Sequence, residues 1–82
     1  MSSIIGEITL NYELGKRIRF LRQKRKLSQL ELATLCDVEP RYLCDLENGK
    51  RNPTLKTLQK IAAGLGVSLE FLFKGIQGVT LK

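Results

Sequence analysis

The sequence predicts an all-α domain of five helices. Three observations lead there. Apolar residues recur at helical spacing in successive windows, as at Leu14, Ile18 and Leu21, and again at Leu58, Ile61, Ala62 and Leu65. Most windows open on a residue whose side chain caps a helix: Asn11, Ser28, Thr54 and Ser68. The windows close on helix-ending pairs or single glycines: Asn48-Gly49, Gly66 and Lys74-Gly75. A chain of 82 residues makes one domain with a small core.

Residues 2–10 read as a short strand or an extended arm. Ile4, Ile8 and Leu10 alternate with polar positions, and Gly6 disfavours a helix. A free apolar arm is poorly soluble, so it is expected to pack on the body or on a second subunit. The first helix is then expected over residues 12–25, with Asn11 as its cap, Glu13 in its first turn and Leu14, Ile18 and Leu21 as its buried stripe. Phe20 lies off that stripe, and either extends the core or sits under the arm. The other faces are basic. Seven of the 14 cationic residues fall between positions 16 and 26: Lys16, Arg17, Arg19, Arg22, Lys24, Arg25 and Lys26.

The second helix, residues 28–36, opens on the capping-box spacing of Ser28 and Glu31 and carries Leu30, Leu32, Ala33, Leu35 and Cys36. Asp37-Val38 is a tight turn, with Asp37 suited to the left-handed conformation. Pro40 suits the first position of a third helix, residues 40–48, whose Leu43 and Leu46 face inward. Residues 50–53 (KRNP) form an exposed basic loop. Thr54 caps a fourth helix with a stripe of Leu55, Leu58, Ile61, Ala62 and Leu65; Gly64 weakens its last turn and Gly66 ends it. Ser68 opens a short fifth helix with Glu70 in its first turn and Leu69, Leu72 and Phe73 as apolar positions. The tail, with Ile76, Val79 and Leu81, is more apolar than a solvated tail should be. The expected organisation is an N-terminal arm at 1–11, a helical domain at 12–74 and a tail at 75–82.

Composition excludes several function classes. There is no histidine, which removes histidine-based acid–base or triad chemistry and, with only two cysteines, argues against a zinc site. Cys36 and Cys44 read as free thiols in a reducing compartment. No glycine-rich phosphate loop appears, so no catalytic residue, metal or cofactor is expected and the chain does not read as an enzyme. The start lacks the basic and apolar regions of a signal peptide, and no stretch reaches the ~18 apolar residues of a membrane span. A cytoplasmic protein without a membrane partner is expected. With 14 basic and 8 acidic residues the net charge is +6, which favours nucleic acid as partner.

Four sequence blocks occur in order: LGKRIR at 14–19, LSQxELA at 27–33, LENGKRxP at 46–53 and LGVSL at 65–69. Together they resemble the Cro/repressor (XRE) family of helix-turn-helix regulators, with a lambda-repressor-like fold, over residues 12–73. In this motif the second helix of the pair enters the major groove and the first crosses the backbone. A nine-residue helix, about 13 Å long, suits a groove about 12 Å wide.

The resemblance places base reading on Glu39, Pro40, Arg41 and Asp45, flanked by Tyr42 and Cys44. Arg41 is the leading reader, since guanidinium bonds guanine O6 and N7 together. Asp45 either accepts from cytosine, fixes the direction of Arg41 or is plain surface. Tyr42 either meets phosphate or a thymine methyl, or packs on the frame. Gln29 matches the family's phosphate-binding glutamine, and Asn48, Lys50 and Arg51 match its second backbone clamp. Arg22 is expected to pair with Glu47 as scaffold, leaving Lys16, Arg17 and Arg19 as a solvated face that adds long-range attraction. Pro40 departs from the glutamine or serine of the lambdoid repressors, so their base preferences do not carry over.

The implied function is a homodimeric transcription regulator on a palindromic operator in double-stranded DNA, acting at the nucleoid. Phe71, Phe73, Ile76 and Val79 are the expected dimer interface, with Ile4, Ile5 and Ile8 as the other candidates. A restriction–modification controller or a phage or mobile-element repressor fits this economy. An antitoxin, using arm and tail to hold a protein toxin, is the alternative, and RNA polymerase is a further candidate partner.

Overall fold

Five helices follow one another: α1 (Ser3–Lys24), α2 (Gln29–Cys36), α3 (Pro40–Glu47), α4 (Leu55–Leu65) and α5 (Leu69–Phe73). The computed structural model describes residues 3–76, and among them all regular structure is helical. Val79 and Leu81 lie outside the described residues.

Helix starts follow side-chain chemistry. Ser28 accepts from the Glu31 amide while the Glu31 carboxylate accepts from the Ser28 amide, so the capping box is complete. Thr54 and Ser68 accept from the amides of Thr57 and Phe71 in the same way. Pro40 opens α3, where its missing N–H costs nothing. Asp37 ends α2 in the left-handed conformation at φ 58°, and Gly66 ends α4 at φ 72°.

The N-terminal segment differs from the expectation. Helix α1 begins at Ser3, so residues 3–11 form its first turns and neither a strand nor an extended arm; Asn11 lies inside the helix and caps nothing. The alternation at Ile4, Ile8 and Leu10 contains an i, i+4 pair as well, and a single glycine costs about 1 kcal/mol. Extending a helix already nucleated gains one hydrogen bond per residue, which offsets that loss.

The core is one cluster. Leu14, Ile18 and Leu21 of α1 meet Leu32, Ala33 and Cys36 of α2, Leu43 and Leu46 of α3, Leu58, Ile61 and Leu65 of α4, and Leu72 of α5. Burying each such leucine or isoleucine contributes roughly 1.5–3 kcal/mol. The apolar pattern overreaches at three places: Leu30, Leu35 and Leu55 are exposed at 63%, 56% and 64%. Each lies at the edge of its stripe, where a helix has already turned from the core. Phe20 is also half-exposed and not part of the core.

Two glycines set how closely helices approach. A Cβ on Gly15 would stand 2.5 Å from the carbonyl oxygen of Leu46 and 2.6 Å from that of Glu47, so α1 rests its backbone on the end of α3. A Cβ on Gly64 would collide with the Cys36 sulfur. Gly64 therefore lets α4 lie against α2, a packing role that its helix propensity alone conceals. Burial of Cys36 raises its thiol to about 11, despite a lowering backbone hydrogen bond from Gly64. The Cys36 thiol is thus protonated at neutral pH and inert.

Candidate nucleic-acid interface

Helix α3 divides into two faces. Leu43, Leu46 and Glu47 are buried, while Glu39, Pro40 and Arg41 are exposed. Tyr42 is half-buried against the core, and Cys44 and Asp45 are also intermediate. Of Tyr42's expected alternatives, frame packing is therefore present in the free chain. The Arg41 side chain is 87% exposed, against 23% for Asp45.

The inner face is fastened by Glu47, whose side chain is fully buried. Arg22 Nε and Nη2 donate to Glu47 Oε2 and Oε1 at 2.7 and 3.0 Å. The expected Arg22–Glu47 pair is present, and it is bidentate, the strongest geometry for this pair. Arg22 Nη1 also donates to the Leu27 carbonyl at 2.8 Å, closing the turn after α1.

Three more groups converge here that the sequence did not place. Gln29 Nε2 donates to Glu47 Oε1 at 2.9 Å. Arg19 Nε approaches the same oxygen at 3.4 Å, and its Nη2 donates to Asn48 Oδ1 at 3.3 Å. Gln29 and Asn48, the two expected phosphate clamps, are thus joined through one carboxylate and one arginine. The partners they meet lie 18 to 29 residues away, so no local pattern signals these bonds.

The expectation of a solvated basic face on α1 is corrected at two of its three residues. Arg19 is tied as described. Arg17 donates to the carbonyls of Phe71 and Leu72 at 2.8 and 3.2 Å and lies 4.9 Å over the Phe71 ring. Carbonyls in the last turn of a helix carry partial negative charge that attracts a cation, and the Phe71 oxygen accepts from Arg17 as well as from the Lys74 amide. Arg19 stays 45% exposed although tied, and Lys16 lies on the exposed face 5.1 Å over the Tyr12 ring. Arg25 closes α4 through the Leu65 carbonyl, and Lys60 donates to the Asp37 carbonyl at 3.2 Å.

The outer face carries a second carboxylate. Asp45 Oδ1 lies 3.9 Å from Arg41 Nε, and Oδ2 lies 3.5 Å from Arg51 Nε. The Arg51 guanidinium sits 5.0 Å over the Tyr42 ring. Lys50 is exposed, and its backbone amide donates to the Asp45 carbonyl at 2.9 Å.

The α5 side presents a different surface. Phe71 is 42% exposed, Phe73 packs partly on the core, and Ile76 is buried within the single chain at 4%. The surface of Ile76 is therefore already used inside the monomer. Phe20 and Phe71 flank an open apolar groove of about 300 Å³, with Leu21, Leu65 and Val67 in it and Lys24 and Arg25 at its rim.

A short helix pair joined at a tight turn, with the inner face of its second helix locked and the outer face free, defines a helix-turn-helix module. Comparison with known proteins agrees: the helix-turn-helix family model HTH_3 matches residues 18–72, and the chain belongs to that family. It is a DNA-binding regulator of transcription. The chain is 41% identical over 69 residues to the control protein C.MunI of Mycoplasma sp, covering 83% of this chain and 93% of that protein. It is 39% identical over 56 residues to the immunity repressor protein of Bacillus phage phi105, covering 68% of this chain and 39% of that longer protein. Among solved structures, the restriction-modification controller protein C.AhdI from Aeromonas hydrophila superposes with a TM-score of 0.75 at 35% identity, over 77% of this chain and 96% of that one. No helix among the described residues is long and apolar enough to cross a membrane.

Proposed function

We propose that this chain acts as a homodimeric, sequence-specific regulator of the restriction–modification controller type, filling the two halves of a palindromic operator. The observation that carries the reading is the 87% exposure of Arg41 on a helix whose opposite face is locked to the core through Leu43, Leu46 and Glu47. A rigid helix bearing an exposed guanidinium on its outer face, its Nε 3.9 Å from Asp45, suits bidentate recognition of guanine in the major groove. Similarity to two small controller proteins, each matched over more than nine-tenths of its length, supports the controller type over the longer phage repressor.

In this reading Gln29 and Asn48 bracket α3 on the phosphates. Gln29 keeps one amide hydrogen and its backbone N–H for the anion, while Glu47 holds the other hydrogen. Lys50 adds a phosphate contact from the loop. Glu39 and Pro40 set the approach of α3 at its N-terminus. Dimerisation places two α3 helices about 34 Å apart, one DNA turn. Phe71, beside Phe20 on the apolar groove, is the surface that a second copy would cover, with Phe73 behind it. Val79 stays a candidate beyond the described residues.

A binding titration against salt tests the DNA reading. For about 6–10 phosphate contacts, affinity should fall about 10³–10⁵-fold between 50 and 200 mM salt. Affinity independent of salt would sink the assignment. Sedimentation at micromolar concentration tests the dimer: a single species at monomer mass refutes it for the free protein, and Phe71→Ala should shift the balance toward monomer.

A further inference from the structure

Arg19 is one arginine more than the Glu47 carboxylate needs. Arg22 already meets both oxygens of that buried group, at 2.7 and 3.0 Å. Arg19 reaches the same site from one helical turn past Gly15, where α1 lies on the carbonyls of Leu46 and Glu47. Its Nε donates to Glu47 Oε1 at 3.4 Å, and its Nη2 donates to Asn48 Oδ1 at 3.3 Å. The Gln29 amide donates to that same Glu47 oxygen at 2.9 Å. The Arg19 side chain is 45% exposed, so the planar fork bridges the buried carboxylate and the open edge where Asn48 stands.

We infer that Arg19 is a positioning residue for DNA binding: it turns the Asn48 carboxamide so that its N–H end faces a phosphate, and through Glu47 it joins that clamp to Gln29. This rests on the phosphate role of Asn48 proposed above. A carboxamide has an accepting and a donating end of nearly the same shape, and a phosphate only accepts. Turned the wrong way, Asn48 would repel the anion it is meant to hold. Arginine only donates, so the end of Asn48 that faces Arg19 is the oxygen. The nitrogen then points away, with one hydrogen directed at the weakly accepting Cys44 sulfur, 3.7 Å off, and the other left for DNA. The fork matters as much as the charge. Nε on Glu47 fixes the guanidinium plane, and that plane fixes where Nη2 meets Asn48. An ammonium at this position has no second arm and would settle on the carboxylate.

A double-mutant cycle tests this on a duplex that the wild-type chain selects from a random pool, at about 0.15 M salt to screen distant charge. Arg19→Lys keeps the charge and loses the fork. It should bind about 5- to 150-fold more weakly, the worth of one hydrogen bond lost from each half-site. In an Asn48→Ala background the same change should alter affinity by less than about twofold. A neutral methylphosphonate, placed at each phosphate in turn, should mark one position per half-site that matters to the wild type and to neither variant. The melting temperature of Arg19→Lys should stay at the wild-type value, because Arg22 still holds Glu47. Wild-type affinity in Arg19→Lys would leave Arg19 a charge only and overturn the inference. A loss that multiplies with that of Asn48→Ala would make Arg19 act on its own, and overturn it too. Wild-type affinity in Asn48→Ala would remove the clamp and this inference with it, leaving DNA binding intact. A wild-type selection that enriches no duplex would overturn both together with the operator reading.

Discussion

Asp45 and Glu47 stand two residues apart on α3, and each carboxylate engages two arginines. Glu47 has no exposed side-chain surface and meets Arg22 and Arg19, with Gln29 as a third donor. Asp45 is 23% exposed and meets Arg41 and Arg51 at the longer distances of 3.9 and 3.5 Å. Helical geometry sends neighbours two apart to different faces, so the same chemistry is set in two media. In the dry medium a bidentate pair holds tightly, and removing one partner leaves a stranded charge. In the wet medium the pair is weak and screened, so the arginines stay free to exchange partners. The difference teaches that burial, more than residue type, decides whether an ion pair on this helix is a fastening or a guide.

That contrast can be broken most forcefully at Glu47. Glu47→Ala should cost about 3–5 kcal/mol in urea unfolding, because Arg22 keeps its buried place without its carboxylate. The buried thiol of Cys36 gives the next effect. Its raised value means that the fold favours the protonated form, so the stability it lends is complete below pH 9 and is lost as pH climbs through about 11. The drop is about 2–3 kcal/mol, and it should appear as the difference between wild-type and Cys36→Ala unfolding profiles over that range. Gly15→Ala should cost about 1–3 kcal/mol, because its new methyl meets the carbonyls of Leu46 and Glu47 and pushes α1 off the Glu47 cluster. Thermal melting reads this directly. The smallest effect sharpens the comparison from the other side. Asp45→Ala should stay within about 0.5 kcal/mol of wild type in the same urea experiment. A cost there similar to that of Glu47→Ala would erase the distinction between the two carboxylates.

What was legible in the sequence was local. The Ser28–Glu31 capping box, the Thr54 and Ser68 caps and the left-handed Asp37 each depend on a few neighbouring residues, and each is found as expected. The core stripe of α1 follows from one period in one helix. The family's Arg22–Glu47 pair was legible only through the sequence blocks that carry the resemblance. The attachments of Arg17, Arg19 and Gln29 were not legible, because each joins residues from 18 to 55 positions apart and depends on how whole helices cross. The start of α1 was missed because Gly6 and an alternating trio outweighed helix continuation. Gly64 looked like a weak point for a similar reason, since the sulfur that needs its space belongs to α2.

The tie between Arg17 and the carbonyls of Phe71 and Leu72 bears on how the chain folds as it is made. Helix α1 emerges first from the ribosome, but the elements it packs against include α5, made last. Its stripe of Leu14, Ile18 and Leu21 has no complete set of neighbours until position 72 has been added. At about 5–20 residues per second, synthesis of this chain takes seconds. Helical domains dominated by local contacts fold in microseconds to milliseconds. The nascent chain therefore waits on translation, with its apolar stripe unpaired, and the native core closes only when the last helix arrives.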